Sequence, residues 1–141
     1  MQDVSTLRLN VMRVLYLMVF AFLSSTMWPL LVNHGEWSVM HGVAVALLGA
    51  LGLLMAFGLR YPLQMLPMLL FEFLWKIFWL LSVALPLWRA NQIDPETMET
   101  VVNCSFGVVV CLIAIPWKYV WVNYIRRPGE RWRGPARPAR V

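Results

Sequence analysis

The sequence predicts an all-α fold: an integral membrane four-helix bundle with both chain termini in the cytoplasm. Three observations carry this expectation. Of the 141 residues, 60% are hydrophobic and only 13% are charged, against about 25% charged in soluble domains. The apolar residues fall into four runs, and a helix needs roughly 20 apolar residues to cross a bilayer. Outside those runs the basic residues are unevenly placed: Arg8, Arg13, Arg60 and six arginines after residue 125 belong to one side, and only Arg89 to the other. An excess of Lys and Arg marks the cytoplasmic side.

A water-soluble chain of this length could not hide so much apolar surface. Four spans occupy residues 1–125 and leave only short loops, with no separate soluble domain among them. The net charge of +5 comes mostly from the Arg- and Pro-rich tail, residues 126–141, which lacks periodicity and is expected to be disordered.

The first span covers about 9–32. Arg8 and Arg13 before an apolar core also fit a signal peptide, but the core is long and no small-x-small cleavage site follows cleanly. Ser24, Ser25 and Thr26 are expected to bond back to helix carbonyls. Trp28 and Pro29 mark the outer end. The second span, about 38–59, follows a short loop and is rich in small residues. Gly42, Ala46 and Ala50 recur every four positions, as do Gly52 and Ala56. Such rows let membrane helices approach closely, without saying which partner they meet.

The third span, about 62–88, starts after a tight turn at Arg60. Pro62 suits its first helical turn. From Leu63 to Trp88 it would run ~39 Å at helical rise, longer than the ~30 Å hydrocarbon layer. Tilt, an interfacial first turn at Gln64, or a kink at Pro67 is expected to absorb the excess. The fourth span, about 98–125, follows an acidic loop. Asp94-Pro95-Glu96 reads as a helix start, with Asp as cap and Pro in the first position. Pro116 is expected to bend this span. Trp28, Trp37 and Trp88 form an outer aromatic belt, and Tyr61, Trp117, Trp121 and Tyr124 an inner one.

Two charges inside the third span are the least expected residues in the chain. Glu72 and Lys76 are four apart with Glu first, the favourable order for a helix pair. Counted from Leu63 they lie ~14 and ~20 Å deep, where each charge costs roughly 2.5–3.5 kcal/mol on insertion scales. Met65, Met68, Glu72, Trp75, Lys76, Trp79 and Val83 share one face at 100° per residue, expected to look into the bundle. Leu70, Leu74, Phe78, Leu81 and Leu85 lie on the other side and suit lipid. The pair reads either as an internal salt bridge that fixes helix docking or as a carboxylate site for a proton or ligand. Lys118 reaches a similar depth on span four and competes with Lys76 for Glu72, unless it snorkels to the inner headgroups. Asn103, Gly107, Cys111, Ala114, Lys118 and Trp121 share one face of that span, whose small and polar residues mark a buried side.

Other chemistry is thinly represented. His34, Glu36 and His41 match no familiar metal spacing, and the plainer reading is loop and interface residues. Cys104 and Cys111 lie about 10 Å apart along a helix, too far to pair, and read as small buried residues. No metal, cofactor or catalytic group is implied. The tail arginines, among them Arg126, Arg127, Arg131 and Arg133, are expected to bind anionic lipid at the cytoplasmic face rather than nucleic acid.

The elements R-Y-P, L-P-x-L-L-F-E, W-K and A-L-P-L-W within residues 60–88 resemble a group of uncharacterised bacterial four-span proteins. The segment IPWKYVWVNYIRRPGERWR, residues 115–133, fits the same resemblance, which covers about the C-terminal two-thirds. It implies a bacterial inner-membrane setting and no particular activity. The likeness to small multidrug transporters is poor, because their key Glu lies in the first span and this first span has none. These features point to a non-enzymatic accessory or scaffold protein, alone as a homo-oligomer or within a larger membrane complex. The alternative is a small oligomeric transporter or ligand-binding protein using Glu72.

Overall fold

The computed structural model describes residues 4–33 and 35–129. It is helical throughout, with no strand among the described residues. Helices α1 (Thr6–Val32), α2 (Val39–Arg60), α3 (Leu66–Trp79), α4 (Leu85–Arg89), α5 (Pro95–Ala114) and α6 (Trp117–Val120) follow in order, with π-helical segments at Leu80–Ala84 and Trp121–Arg126. Four stretches are long and apolar enough to cross a membrane: Thr6–Val32, Val39–Arg60, Leu66–Arg89 and Pro95–Ala114.

Local chemistry sets each boundary. Ser5 caps α1 by accepting the Arg8 N–H at 3.4 Å, so the helix starts earlier than the apolar run. Ser25 and Thr26 donate to the Phe22 carbonyl at 3.0 and 2.7 Å, as their position in the run suggests. Ser24 differs from that expectation: its hydroxyl is buried without a hydrogen-bond partner. Ser38 caps α2 by accepting the His41 N–H at 3.3 Å.

Helices α1 and α2 form a tightly packed hairpin. Gly49, Gly52 and Gly58 of α2 are buried. A Cβ at Gly49 would lie 2.9 Å from Leu31, and one at Gly52 would lie 3.0 Å from the Leu23 Cβ. At Gly58 it would overlap the Tyr16 ring. Tyr16 is pinned there, its hydroxyl donating 2.8 Å to the Pro62 carbonyl. Arg13 Nε donates 3.2 Å to the Leu59 carbonyl beside it. The expected row of Gly42, Ala46 and Ala50 does not make this contact. Ala46 and Ala50 are exposed, and Gly42 is half-buried against Trp37. A strict four-residue repeat advances about 40° per step around a 3.6-residue helix and winds off any one face. Steps of four and three, as in Val45, Gly49 and Gly52, stay on it. Ala56 is half-buried at its edge.

The third span differs from expectation in three ways. Residues 62–65 form a turn, closed by the Met65 N–H on the Tyr61 carbonyl at 3.0 Å, and α3 begins only at Leu66. Pro67 therefore stands in the first turn, where its missing N–H is harmless, and does not kink the span. The irregularity lies further on, before Pro86. There the Leu85 N–H reaches the Leu80 carbonyl, five residues back, in the π-helical segment. Pro86 can neither donate to the Ser82 carbonyl nor tolerate it close by, and the wider turn relieves both conflicts. The extra residue shifts the helical register. Ala84 is buried where Val83 was expected to be, and Val83 is exposed.

The positive φ of 52° at Asn91 turns the chain, a conformation Asn tolerates better than most residues. Asp94 then caps α5, accepting the Thr97 N–H at 3.2 Å, with Pro95 in the first turn. Pro116 interrupts the fourth span instead of bending it. Helix α5 ends at Ala114, Ile115 is extended (φ −67°, ψ 126°), and α6 starts at Trp117. A residue before proline is pushed out of the helical region. Pro116 has no N–H for the Leu112 carbonyl four residues back, and the Trp117 indole N–H supplies one at 2.9 Å. Ile115 and Pro116 are fully buried in a core with Met12, Tyr16, Met55 and Leu66.

Candidate functional site

Glu72 and Lys76 are the buried charged side chains among the described residues. One helical turn brings them onto the same face of α3, with Lys76 Nζ directly against Glu72 Oε1. The other carboxylate oxygen accepts the Trp75 indole N–H at 2.7 Å. The Lys76 ammonium also lies 4.4 Å from the centre of the Trp75 ring, an attractive cation–π geometry. Both oxygens of Glu72 are thus held by donors from its own helix.

Helix α5 closes over this group at Gly107. A Cβ there would sit 2.6 Å from Lys76 Cε and 3.0 Å from Cδ, so glycine leaves the channel in which the lysine stem lies. Cys104 and Cys111 are free thiols buried on the same helix. Trp79 is half-buried one turn beyond Trp75. Lys118 is exposed, and Glu72 has Lys76 as its charged partner. Among the described residues no group of three or more His, Cys, Asp or Glu could hold a metal ion. His41 meets the Trp37 ring edge-on at 5.6 Å, whereas His34 lies outside the described residues.

The pair lines a partly open cavity of about 410 Å³ between α1, α3 and α5. Its polar wall carries Glu72, Trp75, Lys76, Thr100, Asn103 and Cys104. The facing wall is apolar, from Leu15, Met18, Val19, Phe22 and Leu23 of α1. Leu15, Leu23 and Cys104 are buried at its floor, while Met18, Phe22 and Phe106 stand exposed at its mouth.

Some of this arrangement was out of reach of the sequence pattern. Glu72, Lys76, Trp75, Asn103 and Gly107 carry signals of charge, aromaticity or small size in an apolar run. Thr100 and the α1 wall do not, because an apolar face toward a cavity reads like an apolar face toward lipid. Arg126, the last residue of the π-helical segment, and Arg127 after it are exposed; Arg131 and Arg133 lie outside the described residues. In the acidic loop, the Thr97 hydroxyl and then its backbone N–H hold the Asp94 carboxyl below the usual carboxylate range. The chain matches no protein-family model, no curated protein and no solved structure with which it was compared.

Proposed function

We propose that the chain is a four-span inner-membrane protein of bacteria with both termini cytoplasmic, acting as a non-enzymatic accessory or scaffold component. In this reading Glu72 and Lys76 form an intramembrane ion pair within α3 that orients the lysine stem for its contact with α5. The observation that carries it is that both carboxylate oxygens are engaged by donors of the same helix, while the lysine stem is seated on Gly107. A carboxylate poised to take up a cation would offer a free oxygen to a cavity.

The exposed Ala46 and Ala50, continuing the row from half-buried Gly42, supply a surface for a second copy or another membrane protein. Exposed Arg126 and Arg127 would rest on anionic headgroups, each worth roughly 1 kcal/mol near the surface. Affinity purification in mild detergent should recover a partner in fixed stoichiometry or a homo-oligomer; recovery of monomer alone would remove the scaffold reading. Topology is tested with single cysteines in a cysteine-free background. Glu36→Cys should react with an impermeant maleimide in intact cells, and Pro128→Cys only after permeabilisation.

The cavity beside Glu72 favours a second reading, a small transporter coupled through that carboxylate. Protein in liposomes would then carry a Glu72-dependent cation or proton flux, and no flux under any imposed gradient would dismiss it.

A further inference from the structure

We infer that the cavity between α1, α3 and α5 binds a neutral, single-chain amphiphile that enters sideways from the hydrocarbon, its hydroxyl or carbonyl head lodged at Asn103 and Lys76. The inference rests on the membrane reading above and goes beyond the scaffold role.

The route of entry follows from the mouth. Met18, Phe22 and Phe106 are exposed and apolar, and they flank the opening from α1 and α5. In a bilayer they face acyl chains, so the cavity communicates with lipid. Its volume of about 410 Å³ lies within the ~300–1,000 Å³ of small-molecule sites. A partner helix about 10 Å across with its side chains would place only a few side chains there and leave the polar wall uncovered.

The head follows from the polar wall. Asn103 lies about 12 Å along α5 from Pro95, so it belongs to the membrane-embedded part of the helix. Its amide has no hydrogen-bond partner among the described residues, although it lines the cavity. A polar group at that depth needs a partner. The Thr100 hydroxyl, one turn above, donates to the Glu96 carbonyl at 3.2 Å and keeps its acceptor lone pairs. Lys76 has three N–H groups, one of them on Glu72. The wall therefore offers donors and acceptors together, the complement of a hydroxyl, ester or quinone-like carbonyl.

Neutrality follows from the pair. Glu72 and Lys76 cancel each other, so an anionic or cationic head would enter an apolar setting with no uncompensated counter-charge. A neutral head leaves the pair intact, and the α1 wall of Leu15, Val19 and Leu23 takes the tail.

The test is photolabelling of the purified full-length protein in phosphatidylcholine vesicles with a monoacylglycerol that carries a diazirine in its chain. Peptide mass spectrometry locates the adducts. Insertion should concentrate at Met18, Phe22 and Phe106 and fall about tenfold under excess unlabelled monoacylglycerol. A diazirine fatty acid and a diazirine alkylamine, ionised at the working pH, should label these residues about tenfold less. Met18→Trp narrows the mouth from α1 and Val110→Phe fills it from α5. Either should abolish competable labelling while the thermal midpoint stays within a few degrees. Asn103→Leu keeps the shape and should remove the preference for the neutral head. Labelling spread evenly onto outward residues such as Leu47 and Phe78 overturns the site. Equal labelling by all three probes overturns the head class. Disulfide formation between two copies that carry Met18→Cys or Phe106→Cys, driven by a copper–phenanthroline oxidant, gives the cavity to a second chain and overturns the ligand. Flotation of the vesicles separates these failures from failure of the membrane reading, since a protein that does not float with lipid never reaches the labelling step.

Discussion

The α1–α2 hairpin and the α3–α5 pair solve one problem with opposite chemistry. Lipid tails are as apolar as leucine, so helices in a membrane gain little by burying apolar side chains against each other. The first hairpin relies on shape. Gly49, Gly52 and Gly58 admit Leu31, Leu23 and Tyr16 at close range, and the end where α1 starts and α2 finishes is fastened by Tyr16 on Pro62 and Arg13 on Leu59. The second pair relies on polarity. The buried Glu–Lys pair and the Trp75 indole N–H close on one another within α3, and the lysine stem they hold in place seats against Gly107 of α5, with a cavity left beside them. Regularity follows the same division. Both helices of the first hairpin are unbroken, whereas the second pair contains a π-helical segment and a proline break. Close packing of glycines demands straight helices, while a polar contact fixes one point and tolerates distortion around it.

The largest effect should come from breaking the polar contact on one side only. Lys76→Met leaves Glu72 buried with its charge uncompensated, a change expected to cost about 3–5 kcal/mol. The double change Glu72→Gln with Lys76→Met removes both charges and should lie within about 1 kcal/mol of the parent, because apolar replacement of a buried pair is often neutral. Unfolding titrations in mixed micelles measure both. Equal losses in the single and double variants would mean that the residues act separately and that the pair does not set the seating of α3 on α5.

The shape-based contact should yield next. Gly58→Val drives methyl groups into the Tyr16 ring, which cannot withdraw while its hydroxyl is held by Pro62. Overpacking of this kind costs typically 1–3 kcal/mol. Ala46→Val, on the exposed row of the same helix, should stay within about 0.5 kcal/mol in the monomer. A larger loss at Ala46, dependent on protein concentration, would show that this row is covered by another chain.

The contrast between the two regions also explains what the sequence discloses. Four apolar runs of spanning length are a direct physical requirement, and all four appear as helices, three close to the expected bounds and the fourth, expected to run to residue 125, ending as a continuous helix at Ala114. The Asp94-Pro95 start is local chemistry and is equally readable. Glu72 and Lys76 stand out because charge in an apolar run is costly, and their i, i+4 spacing leaves little freedom of geometry. The glycine contacts are less legible. Gly58 lies outside the four-residue rows, and what makes it matter is Tyr16, forty-two residues earlier in the chain. Proline effects are harder still. Pro67, Pro86 and Pro116 each permit a start, a π-helical segment or a break, and the outcome depends on whether a substitute donor is at hand. At Pro116 that donor is Trp117, a residue the aromatic pattern assigns simply to the interface.

This substitution of one donor for another gives a smaller test. Trp117→Phe keeps an aromatic ring but removes the N–H that serves the Leu112 carbonyl, and the loss should be about 1 kcal/mol. Pro116→Ala restores a backbone donor at the required place. Combined with Trp117→Phe it should recover much of that stability and lengthen α5 through the break, seen as increased amide protection at residues 115–117. Failure of Pro116→Ala to rescue would mean that Trp117 contributes through its ring, which packs edge-on against Phe73 at 5.4 Å.

The smallest effect concerns the cap of α5, where polarity acts in the open. The Thr97 hydroxyl and N–H favour the charged form of Asp94, so its folded value lies below the unfolded one. The sign follows from linkage. The stabilisation is fully present above the unfolded value, near pH 4, and is lost as pH falls through the folded value. Between pH 5 and 8 the cap should therefore be insensitive to pH, with any Asp94 contribution declining only in more acid solution. Asp94→Asn keeps a capping oxygen and should match the parent closely at neutral pH, while flattening the acid limb of the thermal midpoint. Asp94→Ala removes the oxygen and should lower the midpoint at every pH. A loss in Asp94→Asn at pH 7 as large as that in Asp94→Ala would show that the charge, set against the helix N-terminus, stabilises α5 more than the hydrogen bond does. Polarity would then act at a distance along the same helix that meets Lys76 by contact.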